Sequence, residues 1–221
     1  MLQAEVVLPD EAHFPDPYER SIGAAEKMFR RICGYMKVDP RQVDLEVFPD
    51  ETEELGRMLP YWQGSHSGCA GLYVHPDGEN KNMVVALRES QMDDPLALVA
   101  TMAHELGHVI LLGGGLLDPN AKDMEPLTDL LTVFLGFGIF NANCAGRFRQ
   151  WQDELKQGWS MQHLGYLPQD LYGYALARFA YERNERRPKW LNHLSTNVRS
   201  YFRKSIDWLL AEEKRIKAPI G

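Results

Sequence analysis

Cysteine is scarce in this chain of 221 residues: Cys33, Cys69 and Cys144 stand far apart with no C-x-x-C pair. That spacing excludes a disulfide framework and fits a reducing compartment. The same cysteine pattern makes a cytoplasmic location the expectation, and the opening Met1–Asp10, with neither a basic cluster nor a long apolar run, is not expected to be a signal peptide. Long apolar runs are also missing. The greasiest stretches, near 96–112 and 127–140, are broken by polar groups and short for a membrane span. No repeat or low-complexity segment occurs. The net charge of −7 argues against general nucleic-acid binding. Its distribution is uneven, because Arg178–Lys204 holds eight Lys/Arg against two acids and is +6, leaving −13 elsewhere. Phe179, Tyr181, Trp190, Tyr201 and Phe202 are interleaved there. A solvated face of amphipathic helices is the plain reading, and an anionic partner the alternative.

What is present suits an ordinary globular protein, 44% apolar and 25% charged, of one domain or two small lobes. A helix is expected from Pro17-Tyr18 to Lys37, with Ile22, Ala25, Met28, Phe29 and Ile32 at helical spacing. Val43–Phe48 alternates like a half-buried strand. Glu51–Met58 reads as a short acidic helix, and Tyr61–Gly68 as a loop containing His66. Ala70–Val74 and Met83–Leu87 flank the turn-rich Pro76–Asn80, which is a hairpin signal. Asp94-Pro95 caps a helix that runs to Leu112 and ends at Gly113-Gly114-Gly115. A second helix, apolar all round, is expected from Met124 to Phe140. Helical segments follow near Arg147–Gln157, Gln169–Asn184 and Trp190–Arg215. The fold class is thus α+β: residues 1–115 form an α/β lobe with a small mixed sheet, and 116–221 an all-helical lobe, with a cleft between.

Inside the first apolar helix stands His104-Glu105-Leu106-Gly107-His108. Positions i and i+4 share a helix face, so both imidazoles can address one ion while Glu105 reaches a water beside it. From Leu96 to Leu112 only Thr101, His104, Glu105 and His108 are neither apolar nor Gly, which marks a buried helix. Burying these three groups together is costly unless something pairs with them, and a metal does so better than a hydrogen-bonded core pair. Catalytic zinc takes three protein ligands and leaves a place for water. Glu125, in the first turn of the second apolar helix, is the expected third, and Asp129 one turn later is placed to orient His104. Thr132 and Gly136 continue that face and would let the helices approach. The oxyanion donor is sought among His163, Tyr166, Tyr172, Tyr174 and Arg178, with Tyr172 preferred.

With Glu125-x-x-x-Asp129 downstream, this motif resembles the zinc core of the gluzincin, or thermolysin-like, metallopeptidases. The compact size is more similar to small intracellular members such as the ImmA/IrrE group of regulatory proteases. The resemblance covers about residues 70–140, with five specific positions. It implies a zincin-like fold and a peptide-binding strand beside the metal helix, here Met83–Leu87. It also implies Zn2+ on His104, His108 and Glu125, a base at Glu105, and a peptide or protein substrate. The interval between His108 and Glu125 is shorter than is typical of thermolysin. Gly114 stands where a metzincin needs a third histidine, which excludes that class, and the surroundings of Cys69 do not match peptide deformylases. A non-catalytic zinc-binding regulator or interaction protein of the same fold is the alternative; the presence of Glu105 argues against it.

Overall fold

The structure, a computed structural model, describes residues 4–49, 71–74, 82–145 and 167–217. Among them the chain is α+β and mostly helical. Helix α1 spans Ile22–Met36. It begins later than expected, because Arg20 adopts φ 50° and the Ser21 hydroxyl then caps the first turn by accepting from Ala24 N at 3.2 Å. Ala25, Met28, Phe29, Ile32 and Met36 are buried at helical spacing, whereas Ile22 in the first turn stays exposed. Lys37, at φ 61°, closes the helix.

Strand β1, Val43–Phe48, lies where expected. Strands β2 (Gly71–Val74) and β3 (Met83–Arg88) pair antiparallel with Gly71 opposite Leu87 and Val74 opposite Val84, as the hairpin signal required. The sheet order is β1-β3-β2, with β1 parallel to β3. This placement overturns one expectation. Met83–Leu87 is the central strand, so its backbone groups are committed to both neighbours and cannot receive a peptide. Its run of buried residues from Val84 to Arg88 reflects that central position.

Helix α2 runs Pro95–His108, and Asp94 Oδ1 accepts from Leu96 N at 3.0 Å and Ala97 N at 3.1 Å. After His108 the winding loosens into a π-turn, Val109–Gly113. By length and composition Pro95–Gly113 could cross a membrane, yet 67% of its apolar window is buried inside the protein, which accounts for its character.

Helix α3 is Met124–Phe134 and stops well short of Phe140. Gly136 breaks the expected single helix at φ 94°. The N-terminal segment crosses at that point: Val7 N donates to Gly136 O at 3.0 Å, and a Cβ on Gly136 would lie 1.9 Å from Glu5 O. A new helix, α4, covers 138–145. Helix α5 is Gln169–Glu182 and α6 is Thr196–Lys217. The expected Trp190–Arg215 helix is split. A 3-10 turn at Lys189–His193 precedes a break that Asn143 clamps, donating to His193 O and accepting from Ser195 N, both at 2.8 Å. The expectations at Glu51–Met58, Tyr61–Gly68, Pro76–Asn80 and Arg147–Gln157 lie outside the described residues.

Two apolar clusters form. The first joins α1, β1, β3 and α2 to Val7, Phe137, Phe140 and Cys144. The second joins Val133, Ile139 and Ala142 to α5 and α6. Cys33 and Cys144 are buried free thiols, and burial pushes the Cys33 thiol up to about 12. Cys69 lies outside the described residues.

Candidate metal centre

His104 and His108 stand one turn apart on α2 with ring centroids 4.7 Å apart. Helix α3 packs against them at an unusually close point. A Cβ on Gly107 would lie 2.7 Å from Thr128 Cγ2, so only glycine there lets the α3 side chains reach the imidazoles. Gly107, rather than Gly136, is therefore the residue that permits the approach.

The contacts orient both rings alike. His104 Nδ1 lies 2.9 Å from Asp129 Oδ1, while Asp129 Oδ2 accepts from Leu167 N at 2.6 Å. His108 Nδ1 lies 3.3 Å from Thr128 Oγ1, whose own hydroxyl donates to Met124 O at 2.9 Å and so accepts from the ring. With both Nδ1 atoms engaged, both Nε2 atoms converge on one spot. They are 3.1 Å apart, and Glu125 Oε2 is 2.9 Å from His104 Nε2 and 3.4 Å from His108 Nε2. Donors about 2.0–2.1 Å from a tetrahedral ion sit about 3.3 Å from one another. The three donors match that spacing, and two imidazoles with one carboxylate can hold a metal ion.

The electrostatics couple the three donors tightly. Burial opposes a proton on His104, but hydrogen bonds to Asp129 and Glu125, helped by the charges of Asp129 and Glu105, more than offset it and raise its pKa well above 6.5. Burial likewise disfavours an ionised Glu125, yet its hydrogen bonds to the two histidines win and hold its carboxyl well below the usual range.

Glu105 is only 4% exposed. Burial raises its pKa against the lowering influence of His108 and His104, and it also hydrogen-bonds the Tyr73 backbone. The neighbouring strand residue is again glycine: a Cβ on Gly71 would lie 2.6 Å from Thr101 Cγ2 and 3.1 Å from Glu105 Oε1. Strand β2, not β3, is the one laid along the glutamate. Of the four groups, Glu125 alone is partly open, its side chain 30% exposed.

The structure thus brings together His104, His108, Glu125 and Asp129. Tyr172 is fully buried in the second apolar cluster. Tyr174 is exposed and rests against Trp208, with ring centroids 6.3 Å apart. Arg178 pairs with Glu182. His163 and Tyr166 lie outside the described residues. Sequence reasoning missed Thr128 as the partner of His108. The available signal was a hydroxyl three residues after Glu125 in an apolar helix, hence near its face. Leu167 and Tyr73 act through backbone groups and left no side-chain signal.

No family model, curated protein or solved structure matches this chain.

Proposed function

We propose that the protein is a zinc-dependent peptidase of zincin-like fold, acting on a peptide or protein substrate in the cytoplasm. The observation that carries this reading is Glu105, a buried carboxyl group beside a convergent two-histidine, one-glutamate donor set, a placement that binding a metal alone does not require. Zinc held by His104, His108 and Glu125 would supply an activated water and polarise the scissile carbonyl. Glu105 would accept a proton from the attacking water as the water oxygen bonds to the carbonyl carbon. The same carboxyl then hands the proton to the amine nitrogen as the C–N bond breaks. Burial brings its proton affinity closer to what both transfers need at neutral pH. Hydrogen bonding to the Tyr73 backbone holds the group in place, and Asp129 and Thr128 keep the two Nε2 atoms turned toward one another and Glu125.

Tyr172 is the residue the sequence offered as donor to the carbonyl oxygen, and it lies in the second apolar cluster rather than beside the three donors. Core packing accounts for its burial, and Tyr172→Phe tests the donor role by keeping the ring and removing the hydroxyl. The purified protein should hold about one zinc per chain, lost in His104→Ala and Glu125→Ala. Glu105→Gln should keep the zinc and lose peptide hydrolysis. Hydrolysis undiminished in Glu105→Gln overturns the peptidase reading. A partner bound equally well by wild type and Glu105→Gln, with no peptide cut, establishes the non-catalytic regulator instead.

A further inference from the structure

A second concave site lies where the N-terminal segment meets the turn between α5 and α6. It is an open groove of about 560 Å3, lined by Val6 and Leu8 from the first segment and by Arg186, Arg187, Lys189 and Trp190 from the second. Its frame is fixed by local geometry. Asn184, at φ 59°, turns the chain after α5, and Glu185 N bonds back to Ala180 O at 2.9 Å. Arg183 ties the two walls together, donating from Nη1 to Ala4 O and from Nε to Glu185 Oε1, each at 2.7 Å. Its guanidinium also lies over the Phe179 ring, 4.9 Å from the centroid. Trp190 Nε1 donates to Glu185 Oε2 at 3.2 Å, and the indole packs edge-on against Phe202.

The charges in this frame do not balance. Glu185 is occupied by Arg183 and Trp190, and Glu5 is the other acid in the lining, set against Arg186, Arg187 and Lys189. Arg186, Arg187 and Lys189 are exposed, and none forms an ion pair among the described residues. Arg186 acts on Glu213 only through its field, and Glu213 is itself paired with Lys217. Three cations within four residues repel one another along this groove, which has room for a small molecule.

We propose that this groove binds a small organic anion bearing two or more negative oxyanion charges, as phosphate or carboxylate. Arg186 and Arg187 supply planar forks that match either group, and Lys189 adds a mobile point charge. The apolar part of the ligand rests on Val6, Leu8, Pro188 and Trp190. A long polyanion is disfavoured, because outside 178–204 the chain carries −13. A small anion sees the local cations within a screening length of about 8 Å.

The test is calorimetric titration of the full chain at physiological salt with a hexose bisphosphate and with tricarballylate, both weak metal chelators. Wild type should bind at least one probe, and the Arg186→Ala/Arg187→Ala double variant should bind it at least about tenfold more weakly. Arg203→Ala/Lys204→Ala, in the same basic segment but outside the groove, should bind as wild type does. All four side chains are exposed, so thermal melts should stay unchanged. Preference for the bisphosphate identifies a phosphorylated ligand, and preference for tricarballylate a polycarboxylate. No heat from either probe at millimolar concentration, or equal loss in the Arg203/Lys204 control, overturns the proposal.

Discussion

Replacing Asp129 by Asn removes one charge from a fully buried position and leaves its volume almost unchanged. The native carboxylate accepts two hydrogen bonds, from His104 Nδ1 at 2.9 Å and from Leu167 N at 2.6 Å. An amide can accept only one of them. If its oxygen faces His104, its NH2 meets the Leu167 N–H donor to donor. If the oxygen faces Leu167, the NH2 requires an acceptor at His104 Nδ1, which moves the ring proton to Nε2 and removes the lone pair the metal needs. The first arrangement costs about 1–3 kcal/mol for a buried donor left unmade; the second keeps both hydrogen bonds and acts on the metal alone. Loss of such a supporting partner lowers metal affinity about 10–100-fold, or roughly 1.4–2.7 kcal/mol. The assay is zinc competition against a chromophoric chelator at mildly alkaline pH, beside urea unfolding of the metal-free protein. Thr132→Val is the control: Thr132 Oγ1 donates to Asp129 O at 2.7 Å, equally buried but away from the imidazole. It should lower stability by about 1 kcal/mol and leave zinc affinity unchanged. Wild-type zinc affinity in Asp129→Asn, or equal loss in Thr132→Val, refutes the reasoning.

Three further outcomes are expected. Gly71→Ala places a methyl group 2.6 Å from Thr101 Cγ2 and against Glu105; zinc content should hold while peptide hydrolysis falls at least about tenfold, and unaltered hydrolysis would remove β2 from the site. Gly136→Ala combines a φ of 94° with a 1.9 Å approach to Glu5 O, and urea unfolding should show a loss of at least about 2 kcal/mol. His104 binds its proton more tightly in the folded chain than in the unfolded one, so its contribution to metal-free stability is complete below the ordinary value of 6.5 and fades as pH rises through the higher folded value. Zinc competes with that proton, so zinc affinity should climb over the same interval. A melting difference between metal-free wild type and His104→Ala that widens with rising pH would contradict the assignment.

Much of the site was legible because helical periodicity is a rigid ruler. His104 and His108, and then Glu125 and Asp129, each lie four residues apart, and polar groups inside apolar helices demand partners. Asp94-Pro95 and the alternation of Val43–Phe48 were equally local signals, and both elements stand where the sequence placed them. The misreadings have a common cause. Gly136 in an apolar run resembles a tolerated helix residue, and its role as a break depends on Glu5, which is remote in sequence. The central place of β3 depends on β1 pairing parallel to it, and no short-range pattern encodes that pairing. Asn143 and Thr128 matter through groups 50 and 20 residues away.

The extended segment at the N-terminus points successive residues into different interiors: Val7 enters the first apolar cluster, while Val6 and Leu8 pack on the second. Helix α4 does the same, sending Phe140 and Cys144 one way and Ile139, Ala142 and Ala145 the other. These two elements act as seams sewn through both cores. Neither core can therefore melt alone without unpicking side chains from its neighbour, so the described fold should unfold as one cooperative unit. Its slowest-exchanging amides should include those of 138–145, whichever half is stressed first.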